Sequence, residues 1–450
     1  FVMKRLVELK EAQNVKAAQR MVEQAVIDVL RDTFELHGFA NIETRAVEPM
    51  SSLARKGEIT KEVYAVRRLQ AARHGGGDSD DDLGLHFDLT VPLARYVLEH
   101  AGRLQFPFRR YQIQKVWRGE RPQEGRYREF CQADIDIIGE DSLADHHDVE
   151  APLVMLAALE RLHTQLGLPA VRMHVNNRKL SEGFYRGLGI EDPAAVLQRV
   201  DKFDKIGPAA VQDLLVGELG LDNRVAHRCV ALATISSTDD SFVARVRDLG
   251  VRNELLDEGL AALAEVVGAA GKQVPGRLVA DLKIARGLDY YTGTVYETEL
   301  VGHESLGSVS SGGRYDSLAS DGRRSYPGVG ISLGLTRLLV PLLGRGVLTG
   351  SRQVPSAVLI AVDTEETRDR AAGVAQALRA RGIPCEVAPR ADRYGKQIRY
   401  ADRRRIPYVW FGGVTGEVKD IRTGRQAAAT ATSWQPPDAD LRPRVLRSEA

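Results

Sequence analysis

Apolar residues recur at helical spacing between residues 14 and 38. Met21, Val22, Ala25, Val29 and Leu30 mark one face, and Gly38 is placed to end the helix. The stretch "FANIETRAVEP" that follows reads as extended. Three segments then alternate with a period of two, the signature of a strand. In "GLHFDLT", Leu85, Phe87 and Leu89 point one way and His86, Asp88 and Thr90 the other. In "RYQIQKVWR", Arg110, Gln112, Gln114 and Arg118 share a face. In "REFCQADIDII", Arg128, Phe130, Gln132, Asp134 and Asp136 share one face, and Cys131, Ala133, Ile135 and Ile137 take the other. One such strand describes a sheet wetted on one side. Three together line a single surface with arginines, a glutamine and carboxylates, which suits a charged ligand. Between Arg118 and Arg128, "GERPQEGRY" predicts a long hairpin loop.

Downstream the period changes. Residues 148–166 read as a helix, and 180–270 as a mostly helical inserted module. Strand character returns at Val279 and in "TGTVYETEL". "SSGGRYDSL" reads as a glycine turn with polar groups, and "YPGVGISLGLTRLL" as a glycine-rich strand running into a helix from about Leu335. "GRGVLTGSRQVP" reads as a linker. Alternating strands and helices from "SAVLIAV" to "EVKDIRTG" predict a small α/β domain with a mixed sheet. The tail "WQPPDADLRPRVLRSEA" and the polar loop at 74–84 read as unstructured and mobile, respectively.

Composition narrows the class. With 450 residues, 43% hydrophobic and 27% charged, the chain has the profile of a soluble globular protein of about three domains. No apolar run approaches the ~18 residues of a membrane span, and no secretory signal is visible at the start. The chain does not begin with Met, so a missing true N-terminus is expected. Cys131, Cys229 and Cys385 stand too far apart for a disulfide framework or zinc knuckle, which fits a reducing cytoplasm. Net charge is +1, yet residues 390–405 hold seven basic and two acidic side chains, and 103–128 hold eight and two. Two basic clusters on a neutral chain point to a polyanion partner.

The usual phosphate-binding routes fail. There is no P-loop and no strand followed by G-x-G-x-x-G. His146 and His147 are adjacent on what reads as a surface turn, with no metal cluster around them, and no nucleophile elbow is present. What remains is arginine. Arg118, Arg126, Arg286 and Arg337 each sit beside glycine or at a strand end, and a guanidinium fork matches phosphate oxygens in pairs. This suggests a nucleoside triphosphate held by side chains.

At these residues the chain resembles a known family. "VWRGERPQEGRYREFCQADIDIIG" resembles motif 2 of the class II aminoacyl-tRNA synthetases and "GVGISLGLTRLL" their motif 3. "ARGLDYYTGTVYE" and "SGGRYDSL" are similar to the signature segments of the histidyl-tRNA synthetases, and "DLTVPLARY" resembles their amino-group pocket. The resemblance spans nearly the whole chain. It implies an α/β fold with an α+β catalytic core: an antiparallel active-site sheet flanked by helices, a helical insertion and a C-terminal α/β anticodon-binding domain. The expected boundaries are 1–174 and 271–345 for the core, 175–270 for the insertion, 355–440 for the anticodon domain and 441–450 for the tail. It implies a homodimer, built on the helix ending at Gly38 and the strand leading to Pro49. It also implies histidine activation by ATP with Mg2+, without a dedicated protein metal site, and transfer to the 3′ end of tRNA(His).

Residue by residue, the resemblance assigns Arg118 to the α-phosphate, Glu120 and Phe130 to the adenine, and Arg126 and Arg337 to the outer phosphates. Asp88 and Thr90 would take the substrate ammonium, and Gln132 would also contact the amino acid. Asp136, Tyr290 and Tyr291 would line the imidazole pocket with Tyr315 nearby. Arg286, beside Gly287, would be the catalytic arginine, acting with Arg118 and Gln132. The insertion would contact the acceptor arm, and the basic helix at 395–405 would read the anticodon. Where the family carries an acidic residue before the motif 3 arginine, this chain has Thr336. Two alternatives share the fold: a non-catalytic regulatory subunit of ATP phosphoribosyltransferase, and a regulatory module that senses uncharged tRNA.

Overall fold

The computed structural model describes residues 17–53, 62–67, 83–120, 125–285, 291–317, 319–320 and 322–448. They fall into two units, one within 28–165 and 169–341 and the other within 17–27, 166–168 and 342–448.

The first unit is organised by a nine-stranded sheet. Its strands are β1 (Ala40–Asn41), β2 (Phe108–Trp117), β3 (Glu129–Ile138), β4 (Val171–Asn177), β5 (Ser236–Ser237), β6 (Leu278–Asp281), β7 (Thr294–Leu300), β8 (Ser310–Tyr315) and β9 (Gly328–Gly334). Their order is β1-β2-β3-β9-β8-β7-β4-β6-β5. Every pair from β2 to β4 across the sheet is antiparallel, while β1 joins β2 and β6 joins β4 in parallel. The mixed α/β architecture with a large antiparallel-rich sheet is as the sequence predicts.

Register explains the two faces. Ile135 pairs with Tyr111 and Ile331, Ile331 with Gly312, Gly312 with Tyr296, and Tyr296 with Val175. Cross-strand partners share a face, so this row is apolar across the sheet. The helix His147–Leu166 covers that side: the Tyr296 hydroxyl donates to the Asp148 carbonyl, and Arg314 Nε donates to Asp148 Oδ1 at 3.0 Å. One residue along β3, Asp134 pairs with Gln112 and Ser332, and Ser332 with Ser311. That row faces the other way and carries the polar site.

Several segments differ from the sequence reading. "GLHFDLT" is a strand only to Leu85. His86 then stacks on Trp117, Asp88 Oδ1 accepts from the backbone N–H of Val91 at 3.0 Å, and a helix runs from Thr90 to His100. An aspartate placed three residues ahead of an orphan helical N–H caps it, and Pro92 suits a first turn, so the helix start overrides the alternation. Members of both alternating sets are buried as a result; His86 is 0% and Asp88 8% exposed. "SSGGRY" is strand β8 rather than a turn. Its glycines are there for closeness: a Cβ on Gly312 would stand 2.2 Å from the Gly330 carbonyl oxygen. His147 is not on a surface turn. It is buried at 3%, bonded to Glu150, and Glu150 is in turn gripped by Arg109. Of the 74–84 loop, only Leu83 and Gly84 are described, within the strand Leu83–Leu85.

The helical run starts at Arg178, directly after β4, and comprises six helices to Gln273 among the described residues. Asn177, Asp192, Asp222 and Asn253 cap four of them with side-chain oxygens. Helices Arg178–Gly187 and Glu254–Gln273 cross at glycines. A Cβ on Gly183 would lie 2.1 Å from Leu256 N, and one on Gly259 2.1 Å from Leu180 N.

In the second unit, β10 (Leu348–Gly350) pairs with β16 (Val445–Arg447). Between them β11 (Val358–Ile360), β12 (Cys385–Val387), β13 (Tyr408–Gly412), β14 (Thr415–Asp420) and β15 (Gln426–Thr430) form a mixed sheet, order β12-β11-β13-β14-β15. Two sequence readings give way here. The expected linker contributes β10, and the expected disordered tail contributes β16. Trp434 meets Trp410 edge-on, Arg422 pairs with Asp440 at 2.8 Å, and buried Arg352 donates to the carbonyls of Asp440 and Leu441. Aromatic and arginine side chains supply the anchorage that a Pro- and charge-rich tail conceals. The helix Tyr394–Arg403 is fixed by buried Gln397, which accepts from Val362 N and donates to Val362 O. Arg390, Arg393, Arg399, Arg403 and Arg405 around it are exposed and make no side-chain hydrogen bond or ion pair among the described residues.

Candidate active site

The polar face of β3, β8 and β9 forms the floor of a cavity of about 310 Å³. Phe130, Gln132, Asp134 and Asp136 reach it from alternate positions of β3, Gly330 and Ser332 from β9. Asp88 and Thr90 close one side from the start of their helix, and Arg118, Glu120 and Arg126 come from the β2–β3 connection. Tyr291, Tyr315 and Arg337 complete the lining on the side of β7, β8 and the helix Leu335–Gly344. The sequence-predicted residues therefore meet at one place, except Arg286 and Tyr290, which lie outside the described residues.

The two ends of the cavity differ in charge. One carries arginines. Arg118 donates from Nε to the Phe87 carbonyl at 2.9 Å, and its guanidinium lies 5.1 Å from the centre of the Phe130 ring. Arg126 stands 3.6 Å from Glu120, and Arg337 donates to the Leu306 carbonyl at 2.8 Å. Thr336, in place of an acidic residue, accepts from the Cys131 backbone N–H at 2.8 Å. It ties the start of the helix bearing Arg337 to β3.

The other end carries carboxylates. Asp136 is held from both sides: Oδ2 is 2.6 Å from Arg110, and Oδ1 accepts from the Tyr315 hydroxyl at 2.6 Å. Arg110 is fully buried, so this ion pair works in a poorly screened setting where one partner without the other is costly. Glycines make the space. A Cβ on Gly330 would fall 2.0 Å from Asp136 Oδ1, and one on Gly328 2.5 Å from the Tyr315 ring. Asp134 is 2% exposed. Burial, opposed by Arg110 and reinforced by Asp136, pushes its carboxyl up to about 7.

Sequence reasoning put Arg110 and Asp134 on this face but gave them no role, and it passed over Ser332. The even-numbered alternation of β2 and β3 was the available signal. Which carboxylate the buried arginine neutralises depends on cross-strand register, and alternation within a single strand does not contain it.

A family model described as histidyl-tRNA synthetase matches residues 11–338, and one described as anticodon binding domain matches 356–419. The chain is 70% identical over 434 residues to a histidine–tRNA ligase from Cutibacterium acnes, covering 95% of this chain and 96% of the relative. It is 57% identical to one from Micrococcus luteus, covering 96% of each. Among solved structures, histidyl-tRNA synthetase from Nostoc sp. PCC 7120 superposes with a TM-score of 0.81 at 32% identity, over 92% of this chain and 95% of that one. An ATP phosphoribosyltransferase regulatory subunit/histidyl-tRNA synthetase from Bacillus halodurans shares the fold at 20% identity, TM-score 0.68, over 84% of this chain and 92% of that one.

Proposed function

Because the chain belongs to the histidyl-tRNA synthetase family, we propose that its cavity is where histidine and ATP react. The chain is a class II aminoacyl-tRNA synthetase that activates histidine with ATP and charges tRNA. The family model for an anticodon-binding domain at 356–419 and the 70% identity do not favour a regulatory paralogue. The observation that carries the placement of the reaction is the division of one cavity into an arginine end and a carboxylate end.

The arrangement supports the following mechanism. ATP lies across Arg118, Arg126 and Arg337, with its adenine against Phe130 and near Glu120. Histidine lies at the carboxylate end, its ammonium toward Asp88, Thr90 and Gln132, its imidazole toward Asp136, Tyr290, Tyr291 and Tyr315. The histidine carboxylate attacks the α-phosphorus, and pyrophosphate leaves. No protein nucleophile is needed. The chain's work is positioning and stabilising the charge that builds on the α-phosphate oxygens, by Arg118 and by Arg286 as catalytic arginine. A second step transfers histidine to the 3′ end of tRNA(His).

Magnesium would come with the triphosphate. Glu120 is the lining carboxylate at the arginine end, and the Thr336 hydroxyl is already engaged. Such a donor set suits an ion held mainly by phosphate oxygens rather than in a protein cage. The imidazole pocket supports selection without editing, because a site that bonds both ring nitrogens leaves buried groups unpaired with other side chains and can discriminate by ~10⁴–10⁵. We further infer a homodimer and a cytoplasmic location; no helix among the described residues is long and apolar enough to cross a membrane.

Histidine-dependent ATP–pyrophosphate exchange, followed by charging of tRNA(His), tests the reading. Both should occur in the wild type, and Arg286→Ala should slow exchange severely while the protein still folds. Near-normal exchange in that variant would remove Arg286 from the mechanism.

A further inference from the structure

We propose that Asp134 is a substrate-binding residue of this chain: together with Gln132 Oε1 it accepts the α-ammonium group of bound histidine. The proposal rests on the reading of the cavity as the histidine site.

The three polar residues of β3 that face the cavity's carboxylate end are not equivalent. Asp136 is engaged on both oxygens, by Arg110 and by Tyr315. Asp134 Oδ1 and Gln132 Oε1 are buried and accept no hydrogen bond among the described residues. Asp134 is 2% and Gln132 7% exposed, and both line the cavity. Ser332 fixes which end of the Gln132 amide is which. Its hydroxyl accepts from Gln132 Nε2, which leaves the amide oxygen as the acceptor on the cavity side. Two buried acceptors, two residues apart on one strand, call for a group with several N–H donors.

Charge points the same way. The charged groups that act on Asp134 are Arg110, Asp136 and Asp88. Arg110 is spent on Asp136. Asp88 and Asp134 both line the cavity, and the charge of Asp88 opposes ionisation of Asp134. An ammonium supplies one positive charge and three donors; an imidazole N–H supplies one donor. The Asp134 carboxyl stands at about 7, raised first by burial. An arriving cation favours its ionised form, so histidine binding near neutral pH should expel a proton from this carboxyl.

The test is calorimetric, on the full chain. Histidine and imidazolelactate (hydroxyl in place of the amino group) are titrated into the wild type and Asp134→Asn. The expected result is a loss of at least tenfold in histidine affinity, with imidazolelactate and ATP affinity each within twofold of wild type. Unchanged histidine affinity overturns the proposal, and so does a parallel loss for imidazolelactate, which would move Asp134 to the imidazole. Retained ATP binding shows that the variant is folded; Asp134→Ser replaces it if not. The wild type provides an independent arm. Histidine titrated at pH 7 in two buffers of different ionisation heat should show net proton release, and none or an uptake overturns the proposal. A wild type that binds ATP but no histidine overturns the site reading itself, and this assignment with it.

Discussion

At the scale of single residues, the site divides into groups that are satisfied and groups that wait for a ligand. Arg118 is oriented by its Nε bond to the Phe87 carbonyl and its stacking on Phe130. Arg118→Ala should reduce ATP–pyrophosphate exchange by about 10²–10³-fold, the range for losing one fixed donor to a developing oxyanion, with little change in melting temperature. Asp134 makes the opposite stability prediction. Its pKa is raised on folding to about 7, so the folded form is favoured while the group is protonated. That contribution is complete below the unfolded value of about 4 and is lost as pH rises through about 7. Asp134→Asn should therefore melt at a higher temperature than the ligand-free wild type at pH 8, and the difference should shrink toward pH 4. A variant that melts lower at pH 8 would contradict the cause assigned. The candidate residues were legible in the sequence because β3 alternates cleanly. Arg110 as the buried partner of Asp136 was not, since their pairing is a property of two strands in register.

At the scale of elements, periodicity was a good guide along β3, and a poor one where a helix start overrides it, as in "GLHFDLT", or where glycine replaces side chains. Strand β3 and the helix His147–Leu166 were readable from spacing; β8 was not, because Gly312 and Gly313 have no pattern to show and are present for close approach. The same requirement makes the crossing of helices Arg178–Gly187 and Glu254–Gln273 fragile. Gly183→Ala or Gly259→Ala forces a Cβ into backbone atoms. Each should destabilise the helical run by at least the ~1–3 kcal/mol typical of overpacking, and should lower tRNA charging more than pyrophosphate exchange. Equal losses would argue that this run does not serve the tRNA. Sheet order gives a pH prediction. His174 of β4 lies between Asp281 of β6 and Glu299 of β7, at 2.9 and 3.0 Å. Burial alone would lower its pKa, but these two carboxylates outweigh it and the value is raised. Its stabilising effect is full below the unfolded value of about 6.5 and declines as pH rises through the folded one. Wild type should lose melting temperature across that window, and His174→Gln should flatten the dependence.

At the scale of the whole molecule, the two units divide the labour that the family implies. The first holds the cavity; the second holds five exposed arginines around the helix Tyr394–Arg403, without a side-chain partner among the described residues. Removing residues beyond Val354 should raise the Michaelis constant for tRNA and leave histidine activation largely present. With the full chain, raising salt should weaken tRNA charging steeply and exchange only slightly, because contacts to phosphates release counterions. The α/β class and the mixed C-terminal sheet were visible in the order of apolar runs. The ordered tail was not, because its stability comes from Arg352, Arg422 and Trp434 meeting residues distant in sequence.

Strand β3 also works as a ruler. Its ten residues are paired without interruption to β2, from Glu129 opposite Trp117 to Ile138 opposite Phe108. Every second tooth from Phe130 to Asp136 faces the cavity and the others face the helix-covered side. A slip of one residue would exchange the two sets, placing Ile135 and Ile137 in the cavity and Asp134 and Asp136 in the apolar layer. Inserted or deleted residues can therefore be absorbed in the connection between Arg118 and Arg128 but not within the strand. Over evolutionary time, length should vary in that connection and stay fixed along β3.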